Sequence, residues 1–320
     1  MNTDKLIHNL GNIDEDLIAE AAELRTRQKR RPRLPRWAAA AACLVLVMSL
    51  AVTAEASTGA VSNLLAPLFG CAQTEIVDSI GIPVGASVSA DGYTLTAEAI
   101  IGDRYNFAVV YSLTRDDGQP IAENAHFATW DPSKSRHGSG GGSLRTVPDE
   151  EDPSRMYFIE EWSVSGSVIG RQMSVTMGDL VIYAPDGEDI PLASGPWELT
   201  YTLRYEDSGK TLPLWNLPVT HPDGTQYKFK KLDISPVGLH LDFTILDPVW
   251  GTVHTLHEQV ILRLKDGTEL LLEGNGSYHH KGGGKTAKGS YSAMYGIPVP
   301  FEDMEALIIC GTVYPLELTE

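Results

Sequence analysis

His254, His257, His279 and His280 are the side chains best suited to holding a metal, since imidazole is the commonest metal ligand. Their spacing argues against a site. Adjacent histidines on a strand point to opposite faces, and the glycines at 282–284 that follow read as a loose loop. No metal and no cofactor is therefore expected. Lys281, Lys285 and Lys288 beside them form a small basic patch on an acidic chain, read as a solvated loop that would suit an anionic cell-wall polymer. Serines are plentiful, but no Gly-x-Ser-x-Gly elbow stands between a strand and a helix, and no Ser-x-x-Lys occurs. The acid pairs Glu150–Glu151 and Glu160–Glu161 are neighbours whose side chains diverge on a strand, so they read as surface charge. These absences make an enzyme the less favoured reading.

Two further motifs are weak on the same grounds. The segment 133–152, with its glycine-rich 138–143, precedes no Lys-Ser/Thr and no helix, so it reads as a mobile surface loop and not as a phosphate cradle. Of three cysteines, Cys43 lies in an apolar run. That leaves Cys71 and Cys310 as a possible pair, read as two separate buried thiols because nothing in the spacing brings them within disulfide reach.

The elements that carry these residues are mostly strands. Residues 93–101 and 105–113 alternate with period two about a short Gly102–Asp103 connection and predict a β-hairpin. Further strands are predicted at 156–164, 173–177, 180–184 and 197–205, where Trp197, Leu199, Tyr201 and Leu203 share a face. A second set follows at 227–234, 239–245, 260–264, 269–273 and 306–313, with a tight turn at Asp266–Gly267. Short strands without alternating helices indicate antiparallel sandwiches.

An uncharged run from Trp37 to Ala54 stands directly behind Arg25, Arg27, Lys29, Arg30, Arg31, Arg33 and Arg36. As a helix it reaches roughly 27 Å, close to the ~30 Å hydrocarbon core. The basic flank keeps residues 1–36 on the cytoplasmic side, so the chain reads as single-pass with its C-terminal part outside the cell membrane. A cleaved secretory signal ending near Ala54 is the alternative. The formal net charge is −17; residues 1–36 hold 8 bases and 6 acids, and the remainder 17 bases and 36 acids. Such an acidic exterior argues against nucleic-acid binding.

Within the inner segment Leu6, Leu10, Ile13, Leu17 and Ile18 recur at helical spacing. An amphipathic helix with no partner domain in its compartment needs something to cover it. These five residues are the expected anchors in the groove of a cytosolic partner. The organisation is thus a cytoplasmic helical segment (1–36), a transmembrane helix (37–54), a juxtamembrane segment (55–74), and two extracytoplasmic β-sandwiches (75–206 and 207–320).

Residues 10–22, the hairpin with Asp91–Thr96 and Tyr105–Phe107, the segment Leu232–Leu239 and the closing Ala306–Leu316 together resemble the membrane-anchored anti-sigma-factor-like proteins of Gram-positive bacteria, whose outer region is a domain family of unknown function. The resemblance implies immunoglobulin-like β domains outside that sense or bind an envelope signal, and an inner helix that restrains a sigma factor. The His-x-x-x-Cys-x-x-Cys motif of zinc-containing anti-sigma domains is missing: residues 1–36 contain His8 and no cysteine. The rival reading is a surface binding or adhesion module with an inert cytoplasmic tail.

Overall fold

The computed structural model describes residues 60–70, 74–132, 140–183, 188–248, 256, 259–280 and 285–318. The expected cytoplasmic helix with Leu6, Leu10, Ile13, Leu17 and Ile18, and the expected transmembrane helix at 37–54, lie outside the described residues. Among the described residues no helix is long and apolar enough to cross a membrane.

Two helices lead the described chain, α1 (Ala60–Phe69) and α2 (Thr74–Ile80). The first module then runs β1 (Ile82–Ala90), β2 (Tyr93–Gly102), β3 (Asn106–Arg115), β4 (Ala125–Phe127), β5 (Trp130–Asp131), β6 (Gly140–Pro148) and β7 (Arg155–Val164). It continues with β8 (Gln172–Met177), β9 (Leu180–Tyr183), β10 (Asp189–Ala193) and β11 (Trp197–Thr202). The second comprises β12 (Lys210–Thr220), β13 (Gln226–Ile234), β14 (Gly238–Leu246), β15 (Val260–Leu264), β16 (Glu269–Leu271), β17 (Asn275–His280), β18 (Thr286–Met294), β19 (Met304–Ile309) and β20 (Thr312–Pro315).

Among the described residues every strand pairing is antiparallel, and the mainly β class matches the expectation. The larger sheets have the orders β1-β2-β3-β7-β6 and β12-β13-β14-β18-β17. Each is a three-strand meander followed by a hairpin whose later strand pairs with the meander, so the two modules follow one plan. Inward residues alternate, as a half-buried sheet requires. Leu95, Tyr111 and Phe158 of the first sheet meet Met173, Val175, Leu199 and Tyr201 of β8 and β11. Phe229, Leu241 and Tyr291 of the second meet Val260, Leu262 and Leu307 of β15 and β19.

The first sheet is covered on its other face as well. Val61, Leu65 and Phe69 of α1 and Val77 of α2 pack on Ala99, Ile101, Ala108, Val110 and Ile159. This is why β3 is buried at eight successive positions from Asn106 to Leu113, the signature of a strand covered on both sides. Asp78 accepts the Ser62 amide at 2.7 Å, satisfying a donor in the first turn of α1. Gly81 ends α2 where a Cβ would stand 2.7 Å from Val61, so the approach of the two helices requires glycine.

Two expectations need correction. The segment 133–152 was expected as a mobile loop, yet 140–148 is the edge strand β6, and a Cβ at Gly142 would lie 2.4 Å from the Trp162 indole. Gly142 makes room for a ring across the strand. The closing stretch 306–313 is two strands, because Cys310 (φ 48°) and Gly311 (φ 78°) turn the chain between β19 and β20.

Candidate functional site: the polar junction between the β modules

The β2–β3 turn of the first module and the β13–β14 turn of the second occupy equivalent places in their sheets, and they meet. Asp103 and Ser235 stand at the start of these turns, where the Asp103 amide donates to Asn106 O and the Ser235 amide to Gly238 O. Asp103 is 4% exposed, and its carboxylate accepts from the amides of Tyr105 (2.7 Å) and Asn106 (2.8 Å), from Asn106 Nδ2 and, across the junction, from Ser235 Oγ (2.7 Å). Burial raises its pKa against the opposing hydrogen bonds of Ser235, Tyr105 and Asn106. Asn106 is itself fully buried; its Nδ2 also reaches Leu239 O, and its Oδ1 accepts from Ser163 Oγ. Gly238 permits this, since a Cβ there would meet Asn106 Nδ2 at 2.9 Å.

Beside this lies a line of acid, imidazole and hydroxyl that no sequence spacing announced. His240 stands with Nε2 3.3 Å from Asp242 Oδ1 and Nδ1 2.7 Å from Ser292 Oγ. Asp242 is held below its usual range by the His240 hydrogen bond, with Lys231 adding its charge. The arrangement has the members of a hydrolytic triad but none of the access. Ser292 is 2% exposed and donates its proton to Val164 O of the first module, while the Tyr105 ring stacks on His240 at 3.7 Å. A nucleophile must reach a carbonyl at bonding distance, and here both imidazole and hydroxyl are covered by the neighbouring module. Through Ser292 the line fastens one module to the other.

Charged groups ring the same junction. Lys231 Nζ lies 2.7 Å from Asp233 Oδ2 and 3.3 Å from Asp242 Oδ2, and donates to Tyr105 OH. Burial works against its charge, but Asp233 and Tyr105 together outweigh that and hold the ammonium above its usual range. Arg104 pairs with Asp207 of the connecting segment at 2.6 Å. A small surface recess here is walled by these already paired groups, Arg104, Tyr105, Asp207, Thr211 and Asp233.

A second polar cluster sits inside the first sandwich. Glu160, expected at the surface, is fully buried, whereas Glu161 turns outward to Arg145. The Glu160 carboxylate accepts from Tyr111 OH and from Trp162 Nε1 (2.7 Å), and Tyr111 OH meets Tyr201 OH at 2.5 Å. Burial pushes Glu160 up to about 7 against those two hydrogen bonds. The sequence signal is Tyr111 and Tyr201, polar-tipped rings at inward positions, which need a partner when buried.

The expected partner anchors Leu6, Leu10, Ile13, Leu17 and Ile18 lie outside the described residues, as do His254 and His257. His279 and His280 fall on β17, opposite Lys288 and Ala287. Among the described residues no group of three metal-ligating side chains gathers. Cys310 is a free thiol.

Fold and junction define a mainly antiparallel β protein of two modules fastened through equivalent turns. No protein-family model and no curated protein matches the chain. Among solved structures it is similar to a conserved domain protein from Bacillus anthracis, with 16% identity, 71% of this chain and 75% of that chain covered, and a TM-score of 0.46.

Proposed function

We propose that the chain is a single-pass membrane regulator of the anti-sigma type, with immunoglobulin-like β modules outside that respond to an envelope signal and a cytoplasmic helix that holds a sigma factor. The observation that carries this reading is the placement of α1. Only residues 55–59 separate the apolar run that ends at Ala54 from α1, and α1 is built into the first module, with Leu65 wholly buried against the sheet. A connection this short in sequence leaves no long linker between the apolar run and the module, which supports coupling of the two. The fastened junction supports the same reading, because two modules held by Asp103–Ser235, Asn106–Leu239 and Ser292–Val164 move together.

The inner half of the reading rests on the stripe Leu6, Leu10, Ile13, Leu17 and Ile18. The test is retention of sigma factor by the full chain in detergent, wild type against Leu10→Asp/Leu17→Asp. The wild type retains it and the variant does not; equal recovery refutes the reading. Deleting residues 2–24 alters transcription under this proposal and leaves it unchanged if the tail is inert.

A further inference from the structure

We infer that the outward face of the sheet β12-β13-β14-β18-β17 binds a polymer of sugar or polyol units joined by phosphodiesters, an occupant that rests on the extracytoplasmic placement proposed above. Lys228 of β13 and Lys288 of β18 both oppose Thr244 of β14, so two exposed lysines flank a threonine in one cross-strand row, roughly 10 Å apart at the usual strand spacing. Exposed Lys230 occupies the bulge between Phe229 and Lys231. Among the described residues none of these three lysines makes an ion pair, whereas Lys231 on the same strand is held by Asp233 and Asp242. The acids nearest this face are largely engaged: Asp242 with Lys231 and His240, and Asp223 with His221 and the Thr225 amide. Asp247 is exposed just past the end of β14.

A second feature adjoins the lysines. Pro213 opposes Lys231 and Leu217 opposes Phe229, so residues 214–216 of β12 bulge opposite Lys230. In that bulge Trp215 (φ 47°) and Asn216 (φ 60°) both adopt the left-handed conformation that a Cβ disfavours, and Trp215 is 84% exposed. A strained backbone that presents an indole to solvent is the kind of outlier that accompanies ligand sites. An indole face packs on the C–H face of a sugar, and ammonium groups act as point charges toward phosphate. Pro213 and Pro218 remove donors from the β12 edge, so a partner meets the face and the bulge and does not add a strand.

The chain as a whole is acidic, which opposes a polyanion at long range. Screening decides the balance: at physiological salt the Debye length is about 8 Å, so acids on the opposite sheet and the first module are largely screened at contact. Bases are also gathered here, with 9 against 14 acids in residues 207–320 but 8 against 21 in residues 75–206.

The test uses the full chain in detergent and glycosylated poly(glycerol phosphate), titrated by calorimetry at several salt concentrations. Saturable, salt-sensitive binding is expected, with the Lys228→Gln/Lys230→Gln/Lys288→Gln variant weaker by about 10-fold or more and with a shallower dependence of log K on log salt. Trp215→Ala weakens binding of the glycosylated polymer and leaves the unglycosylated one unchanged. Lys265→Gln, in the β15–β16 turn, behaves as wild type. All these positions are exposed, and an unchanged melting temperature shows each variant folded. Lack of saturable binding, equal affinity of the triple variant, or equal affinity of the wild type for a single-stranded oligonucleotide of matched phosphate number overturns the inference. None of these outcomes depends on sigma-factor retention, so the two proposals fail separately.

Discussion

Replacing Glu160 with Gln tests the buried cluster of the first sandwich. The carboxyl titrates near 7 in the folded chain, because burial disfavours its charge, and near 4.5 when exposed. The folded state therefore binds the extra proton between those values, so the contribution of Glu160 to stability is most favourable below pH 4.5 and falls as pH rises toward 7. A difference of about 2.5 pH units corresponds to about 3 kcal/mol, full above pH 7 and absent below pH 4.5. Tyr111 and Tyr201 stay protonated throughout this window, since burial and then the Glu160 charge hold both well above their usual range. Gln matches the protonated form in shape: it accepts from Trp162 and donates to Tyr111, which then donates to Tyr201. Urea unfolding of wild type and Glu160→Gln at pH 5, 6, 7 and 8, followed by tryptophan fluorescence, reads the difference. Asp103, also raised, titrates equally in both and cancels. The variant should gain on the wild type by about 2.5 kcal/mol between pH 5 and pH 8, the rest of the difference having been lost already below pH 5. A constant gap across that range would refute the assignment.

Leu65→Ala should cost about 2–5 kcal/mol, because it empties a fully buried site between α1 and the first sheet; loss below about 0.5 kcal/mol in denaturant unfolding would show that the helix does not pack there. Burial, then the charge of Asp223, pushes the Cys310 thiol up to about 11. In a Cys43→Ser/Cys71→Ser background its alkylation by iodoacetamide should be slow at pH 8 and rise about tenfold per pH unit toward pH 10, since only the thiolate reacts. Rapid labelling at pH 8 would contradict this environment.

Strands were legible where one face is apolar and the other wet. Residues 93–98 and 173–177 alternate cleanly, and the boundaries expected at 93–101, 173–177, 227–234 and 260–264 fall within a residue or two of β2, β8, β13 and β15. The pattern failed where its premise failed. β1, Ile82–Ala90, has small residues at alternate positions and carries little contrast. Residues 140–148 read as loop because glycine normally weakens a strand, yet there it admits a neighbouring indole. Glu160 was placed at the surface because a charge in a core is rare. What reverses that expectation is a pair of tyrosines and a tryptophan drawn from 111, 162 and 201, which no local window contains.

By itself, then, the chain's order of residues determined what depends on neighbours a few positions apart: the mainly antiparallel β class, the Asp266–Gly267 turn, the uncharged run behind a basic cluster, and the apolar stripe within residues 6–18. Tertiary structure alone decided which turns meet. Asp103 and Ser235 are 132 positions apart, as are the members of no sequence motif, and what joins them is the shared plan of two sheets that brings equivalent turns together. Desolvation and hydrogen bonding act through space. Asp242, His240 and Ser292 lie in one line, and once the neighbouring module covers His240 and Ser292 that line joins two halves of one unit.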